Sequence, residues 1–321
     1  MFKGDTRNNR QPLIVLAGPT GVGKSEVSLQ IAKAVGGAIL SADSMQVYRG
    51  LDIGSAKLPE DRREGIPHFL IDVLDPEEAC DVVRYQAMAM EAIDDCVKKG
   101  LVPILTGGTG FYIQAVVRNI DFSDGEGDHA LRTRLEAFAR EHGVQALHEK
   151  LAGVDPVSAE TIHANNIRRT IRALEFFYQT GTPISAHNRV QREKETPFDL
   201  SYFVLSLDRA RLYPRIDARV DEMMADGLER EVRALAAQGL TEETPAMKGI
   251  GYSEFFPYFR GEIDLEEVVR RIKRDSRHYA KRQFTWFKRE PQAVWIDRGD
   301  HERVEEVAEA ILRILHMSRS F

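Results

Sequence analysis

The residues best suited to chemistry come early in the chain. Gly18-Pro19-Thr20-Gly21-Val22-Gly23-Lys24-Ser25 follows the apolar run Leu13 to Ala17 and opens a helical pattern with Val27, Ile31 and Val35 on one face. Strand, glycine loop and helix in that order make a phosphate loop. The glycines let successive backbone N–H groups turn toward phosphate oxygens, and the helix behind presents its positive end to the same anion. Lys24 adds a full charge and Ser25 offers a hydroxyl to Mg²⁺, so the first ligand is a di- or triphosphate. Which phosphate compound, and what becomes of it, the loop leaves open.

Two further segments point to the same place. Asp43 lies in Ser41-Ala42-Asp43-Ser44-Met45-Gln46-Val47-Tyr48, just after the apolar run Ala38 to Ser41. In an open α/β sheet, ligands bind beyond the carboxyl ends of the strands, which puts Asp43 beside the phosphate loop. Its carboxylate could ligate Mg²⁺ or serve as a general base; a plain turn or N-cap aspartate is the alternative. Asp72, closing Phe69-Leu70-Ile71-Asp72, reads as a second acidic strand end of the Walker-B type. Thr106-Gly107-Gly108-Thr109-Gly110 repeats the logic of a glycine turn opening into a helix, and Thr109 could donate a hydroxyl hydrogen bond into the same anion site. Two glycine loops and an acid at neighbouring strand ends say more together than singly.

The elements that must position these groups alternate along the chain. Leu13 to Ala17, Ala38 to Ser41, Phe69 to Val73 and Val102 to Thr106 read as buried strands, separated by amphipathic helices such as Val83 to Lys99. That alternation predicts an α/β fold, a parallel sheet with helices on both faces. Asp121 to Asp128 is rich in turn formers and reads as a linker, and from His129 to about Glu195 the pattern is helical, with a stop at Gly181-Thr182-Pro183. Strands return at Tyr202 to Leu207 and Ala293 to Ile296, before a last helix near Val304 to Leu315. A sheet that resumes after a helical stretch predicts a P-loop NTPase-like core built from both ends of the chain (residues 1–127 and 198–321), carrying an inserted helical lobe (residues 128–197).

Composition sets the bounds. With 321 residues, 43% of them hydrophobic, the chain can bury a sizeable core. A formal net charge of −6 argues against a surface given over to nucleic acid unless charge is concentrated locally. It is concentrated. Arg168, Arg169 and Arg172 share one helical stretch, and Arg270 to Arg289 holds nine Lys or Arg against one acid, Asp275, with Tyr279, Phe284, Trp286 and Phe287 interleaved. Cations mixed with aromatics suit single-stranded nucleic acid; a solvated face with its aromatics in the core is the plain reading. Cys80 and Cys96, the only cysteines, form no metal-ligand pattern, so reduced thiols are expected. No stretch approaches a membrane span or a secretory leader, which predicts a cytoplasmic protein with no membrane partner, and a monomer is the expectation.

Taken in order, these residues resemble the tRNA dimethylallyltransferase family. The resemblance rests on Gly18 to Ser25, Asp43-Ser-Met-Gln-Val-Tyr-Arg-Gly-Leu-Asp-Ile-Gly54 with Ala56-Lys57, Pro67-His68, Gly107-Gly-Thr109, Ile171-Arg-Ala-Leu-Glu175, Gly249-Ile-Gly-Tyr252 and Tyr279-Ala-Lys-Arg-Gln283 with Thr285-Trp-Phe287. It implies transfer of a dimethylallyl group from dimethylallyl diphosphate to the exocyclic amine of the adenosine on the 3′ side of the anticodon in tRNA, with Mg²⁺ and release of diphosphate. That amine is a poor nucleophile because its lone pair is delocalised into the ring, so a base is needed, and Asp43 matches the family's base. Gly18, Pro19, Thr20, Gly21, Val22, Gly23, Lys24 and Ser25 would hold the diphosphate, with Ser25 as the metal's partner. Thr109 matches a residue near the scissile oxygen, and Arg219 an arginine on the diphosphate. For the tRNA anticodon stem-loop the resemblance points to Asp43, Ser44, Met45, Gln46, Thr109, Arg132, Arg168, Arg169, Thr170, Ile171, Arg172, Gly249, Gly251 and Tyr252.

This sequence departs from the family pattern at Gly54-Ser55-Ala56-Lys57, Pro67-His68-Phe69 and His163-Ala164-Asn165-Asn166. The last precedes the basic lobe helix and bears on how RNA is gripped there. None touches Lys24, Asp43 or Thr109. Three other readings compete: a phosphate-loop kinase of small molecules, an adenylate isopentenyltransferase acting on free nucleotide, and a nucleic-acid-binding module without catalysis. The first two have little use for the arginine-rich segments, and the third leaves the paired glycine loops and Asp43 unexplained.

Overall fold

A computed structural model describes residues 10–122, 129–301 and 303–318. Six parallel strands, β1 (Gln11–Ala17), β2 (Gly37–Ala42), β3 (His68–Phe69), β4 (Val102–Gly107), β5 (Phe198–Ser206) and β6 (Val294–Asp297), form one sheet in the order β3-β2-β4-β1-β5-β6. In register, Ile14 of β1 faces Ile104 of β4, and Val15 faces Tyr202 of β5. The strands after β1 are laid down first to one side of it and then to the other. This reversal leaves a crevice at the carboxyl end of β1, where such sheets bind ligands.

The helices follow the strands. In one of the chain's two units they are α1 (Lys24–Val35), α2 (Val82–Lys98), α3 (Gly110–Val117), α8 (Arg209–Asp226), α9 (Leu228–Ala237), α10 (Phe255–Phe259), α11 (Leu265–Phe287) and α12 (Val304–Ser318). Because successive strand side chains point to opposite faces, β1 feeds two cores. Leu13, Val15 and Ala17 pack with Tyr85, Ile113, Val232, Val268 and Phe287, whereas Ile14 and Leu16 pack with Val27, Ile31, Leu212, Ile216 and Ile311. Among the described residues no helix is long and apolar enough to cross a membrane.

Residues 118–196 form the second unit, made of α4 (His129–Val154, kinked at Gly143), α5 (Pro156–Thr161), α6 (Ile167–Thr180) and α7 (Ile184–Glu193). Leu135, Leu147, Leu151, Ile171 and Leu174 give it a core of its own. Its first boundary lies before the expected residue 128. Arg118 donates to the Arg192 carbonyl (2.6 Å) and the Asp121 N–H donates to Gln191 (3.2 Å), tying the segment after α3 to the end of α7. Most of the expected linker, residues 123–128, lies outside the described residues. Asn166 caps α6, its side chain accepting from the Arg169 N–H at 3.3 Å.

One expected strand is largely absent. Phe69 to Val73 contributes only Phe69 to the sheet, because Leu70 (φ 64°) and Asp72 (φ 56°) turn left-handed and the chain leaves β2. The segment pairs instead with the stretch after Asp43, through Asp72 N–H to Gln46 O (3.1 Å) and Val73 N–H to Val47 O (2.9 Å). Asp72 consequently closes no inner strand. Its carboxylate takes Lys57 at 2.5 Å, and the Walker-B reading is corrected: this acid anchors a loop at the sheet's edge.

Candidate active site

The site forms where β1, β2 and β4 end. After Ala17 the backbone turns through Gly18, Gly21 (φ 79°) and Gly23 (φ 95°), conformations in which a side chain would be strained. Lys24 then starts α1. Its ammonium donates to the Gly18 and Pro19 carbonyls (2.9 and 2.8 Å), folding the side chain back along its own loop. Burial, and then the nearby Arg219, pull the Lys24 pKa down to about 7, with Asp43 opposing. Arg219, on α8, donates to the Thr20 hydroxyl at 3.4 Å, and burial likewise disfavours its charged form. Two cations thus share one small site with the Asp43 carboxylate, and Glu222 also faces Arg219.

Asp43 is held in a tight turn, Oδ1 accepting the Met45 N–H at 2.8 Å. That bond leaves Oδ2 for other work. Thr109, at the end of β4, is tied to the same turn: its N–H donates to the Ala42 carbonyl (3.0 Å) and its hydroxyl accepts from the Ser44 N–H (3.2 Å). The close approach requires Gly107, since a Cβ there would overlap the Ala42 carbonyl. Gln46 is fixed at both ends of its amide, accepting from the Ser41 hydroxyl (2.7 Å) and donating to the Ser55 carbonyl (3.2 Å).

Two site residues on α11 went unassigned in the sequence reading. Gln283 accepts the Thr20 N–H (2.9 Å) and donates to the Gly108 carbonyl (3.0 Å), bridging both glycine loops. Tyr279, one turn earlier, lies close to Thr109, Gln283 and Asp43; burial and then Asp43 raise its pKa to about 12. Their signal was present, because positions 279, 283 and 286 lie on one helical face, and Trp286 packs where Gly110 has no side chain. A composition dominated by cations drew attention to charge instead. Much of that charge is consumed locally: Arg270 and Arg271 pair with Glu267, Lys273 with Asp221, Arg274 with Asp275 and Arg277 with Asp217. Phe287 is buried, and Phe284 packs on Trp295.

The residues assigned to RNA by resemblance fall into two groups. Within the first unit, Met45 packs on Gly249, where a Cβ would collide with it, and the Tyr252 ring lies against Gly54. Tyr252 is fully buried and donates to Glu231 (2.8 Å), which also accepts the backbone N–H groups of Asp52, Ile53 and Gly54. Gly251 donates to Glu254 at 3.0 Å. Within the second unit, Arg168 and Arg169 are exposed and Arg172 partly so. Arg132 makes a two-pronged pair with the buried Glu175 (2.9 and 2.8 Å). Thr170 and Ile171 are turned inward, Thr170 donating its hydroxyl to the Asn166 carbonyl and Ile171 packing in the lobe core.

Fold and site together define a phosphate-loop group-transfer enzyme: an anion cradle with two cations and a carboxylate at the switch point of a parallel sheet. Residues 46–290 match the family model for IPP transferase. The chain is 49% identical to the tRNA dimethylallyltransferase of Lachnoclostridium phytofermentans, over 95% of this chain and 97% of that one. Among solved structures, it is similar to the full-length tRNA isopentenylpyrophosphate transferase of Bacillus halodurans (TM-score 0.73, 40% identity, 96% of each chain). It is also similar to a eukaryotic dimethylallyltransferase acting on tRNA (TM-score 0.79, 30% identity, 94% of this chain and 77% of that one). The chain belongs to the IPP transferase family, the family of these tRNA-modifying enzymes.

Proposed function

We propose that this protein transfers the dimethylallyl group of dimethylallyl diphosphate to the exocyclic amine of the adenosine 3′-adjacent to the anticodon in a tRNA anticodon stem-loop, releasing diphosphate, with a single chain as the working unit. The observation that carries the reading is the meeting of Asp43 with Lys24 and Arg219 in one cradle, in a chain whose relatives are tRNA dimethylallyltransferases over nearly their whole length. A base for the amine and cations for the leaving group are the two things the reaction needs. Kinase and free-nucleotide prenylation are not favoured, since the relatives and solved neighbours bear tRNA-directed names.

In this reading Asp43 Oδ2 takes the amine proton as the amine attacks the allylic carbon, while the Met45 N–H holds Oδ1 still. Thr109, oriented by the Ser44 N–H, stands at the bridging oxygen as the C–O bond breaks. The charge that develops on diphosphate meets the loop amides, Lys24 and Arg219. Ser25 is exposed at the start of α1 with its hydroxyl available, and no group of three or more His, Cys, Asp or Glu capable of holding a metal occurs among the described residues. The Ser25 hydroxyl would hold Mg²⁺ together with the diphosphate oxygens. When bound, Mg²⁺ neutralises part of the diphosphate charge. The test offers dimethylallyl diphosphate or ATP as donor, and stem-loop RNA, AMP or small alcohols as acceptor. Prenyl transfer to the stem-loop is expected; phosphate transfer, or prenylation of AMP alone, would overturn the reading.

A further inference from the structure

The face of α8 that carries Arg219 to the phosphate loop does not stop there. Arg215 and Arg211 sit one and two turns earlier on the same face. Beyond them, in the turn after β6, Arg298 is only 6% exposed. Its Nη1 donates to the His301 carbonyl at 3.3 Å, but its buried Nε has no hydrogen-bond partner. A buried guanidinium N–H without an acceptor is costly and uncommon.

These groups converge on the junction between loop and helix. A Cβ built on Gly23 would lie 3.7 Å from Arg298 Nε, 3.8 Å from Arg215 Nη2 and 3.8 Å from Glu26 Oε2. Arg211 donates to the Gly299 carbonyl at 3.2 Å, which places a third guanidinium at the rim. Glu26 and Glu305 are the acids that face Arg298, and neither makes an ion pair with it. Arg211 and Arg215 are exposed, whereas Arg298 forms the floor. The cluster lies beside the start of α1, a helix of 12 residues whose positive end is shared with the first cradle.

We infer that Arg298, Arg215 and Arg211 form a second oxyanion site beside Gly23, next to the Lys24 and Arg219 cradle, that takes a small phosphate ligand, inorganic phosphate or the released diphosphate. The inference rests on the reading of the phosphate loop as the donor's cradle. The proposed ligand supplies the acceptor that Arg298 Nε lacks and offers oxygens to both exposed guanidiniums, in the geometry arginine suits best. Its position beside the first cradle offers the leaving diphosphate a second set of cations.

The test is calorimetric titration of the full chain with inorganic phosphate and, separately, with inorganic diphosphate, in a Lys24→Ala background that disables the first cradle. Binding of one anion per chain is expected to persist there and to weaken at least tenfold on adding Arg298→Met. Arg215→Gln, at an exposed position where folding is not at stake, should weaken it similarly. The tighter of the two anions identifies the source. Absence of binding in the Lys24→Ala protein, or unchanged binding in a folded arginine variant, overturns the second site. Failure of the donor reading shows separately, as a wild-type chain that does not bind a thiolodiphosphate analogue of the donor while phosphate binding still depends on Arg298.

Discussion

At the scale of single residues, the proposed reaction asks for one carboxylate as base and two cations for the leaving group. Asp43→Asn keeps an acceptor for the Met45 N–H and removes the base, so single-turnover transfer should fall by roughly 10² to 10⁴ while affinity for stem-loop RNA holds. Transfer within about tenfold of wild type, equivalent to about 1.4 kcal/mol of barrier, would assign the base elsewhere. Lys24 sets a pH dependence. Its pKa of about 7 in the free protein means that the side chain is largely neutral at pH 8, whereas a diphosphate favours the ammonium. The complex therefore binds more protons than its parts, so donor binding at pH 8 should take up a proton, and affinity should weaken as pH rises above 7. Calorimetry in buffers of different ionisation enthalpy reads that proton directly; no uptake would mean that Lys24 is already charged.

At the scale of elements, α11 acts as the brace that holds two loops at one separation. Gln283→Ala leaves the Thr20 N–H and the Gly108 carbonyl without their shared partner, at a cost of about 1–3 kcal/mol of stability. The KM for the donor should rise as the phosphate loop loosens, while Gln283→Glu, which retains an acceptor for Thr20, should recover part of it. Thermal unfolding and steady-state kinetics check both. What was legible in the sequence follows the same division. The glycine loops, Asp43 and Thr109 could be read because backbone geometry demands their residue types at fixed places beside strands. Tyr279 and Gln283 serve a site made by residues more than 150 positions away, and no local pattern marks a helix face that meets loops from the other end of the chain. Asp72 misled for a related reason: an apolar run ending in acid looks the same whether it enters a sheet or turns left-handed at its edge.

For the whole molecule, a net charge of −6 and a nucleic-acid substrate are reconciled by where the cations remain available. Five of the nine in Arg270 to Arg289 are engaged by neighbouring acids. On the lobe, Arg168 and Arg169 stand exposed, with no acid among the described residues paired to either. Replacing Arg168, Arg169 and Arg172 together by Ala should weaken stem-loop binding by about 1–3 kcal/mol and lower its salt slope by about 0.7–0.9 per lost phosphate contact. The maximal rate at saturating RNA should change much less than the half-saturating concentration. An unaltered slope would move the grip to Lys281, Lys288 and Arg289, which make no ion pair among the described residues. The lobe's helices were legible from periodicity, but its boundary was not, because residues 118–122 join it through hydrogen bonds to α7 and not through any helical pattern.

The threading of the sheet bears on how the chain is made. β1 is finished at residue 17, yet its neighbour β5 is complete only at residue 206, with the entire lobe translated in between. At ribosomal speed that interval lasts roughly 10 to 40 seconds, during which the central strand has an unpaired edge. The lobe, with its own core, has no such wait. Chains arrested near residue 197 and released from the ribosome should therefore show slow-exchanging amides in the lobe and fast exchange in β1. Birth order thus makes the insertion the first part to mature and the catalytic cradle the last, so a truncated product would carry a folded lobe without a working phosphate loop.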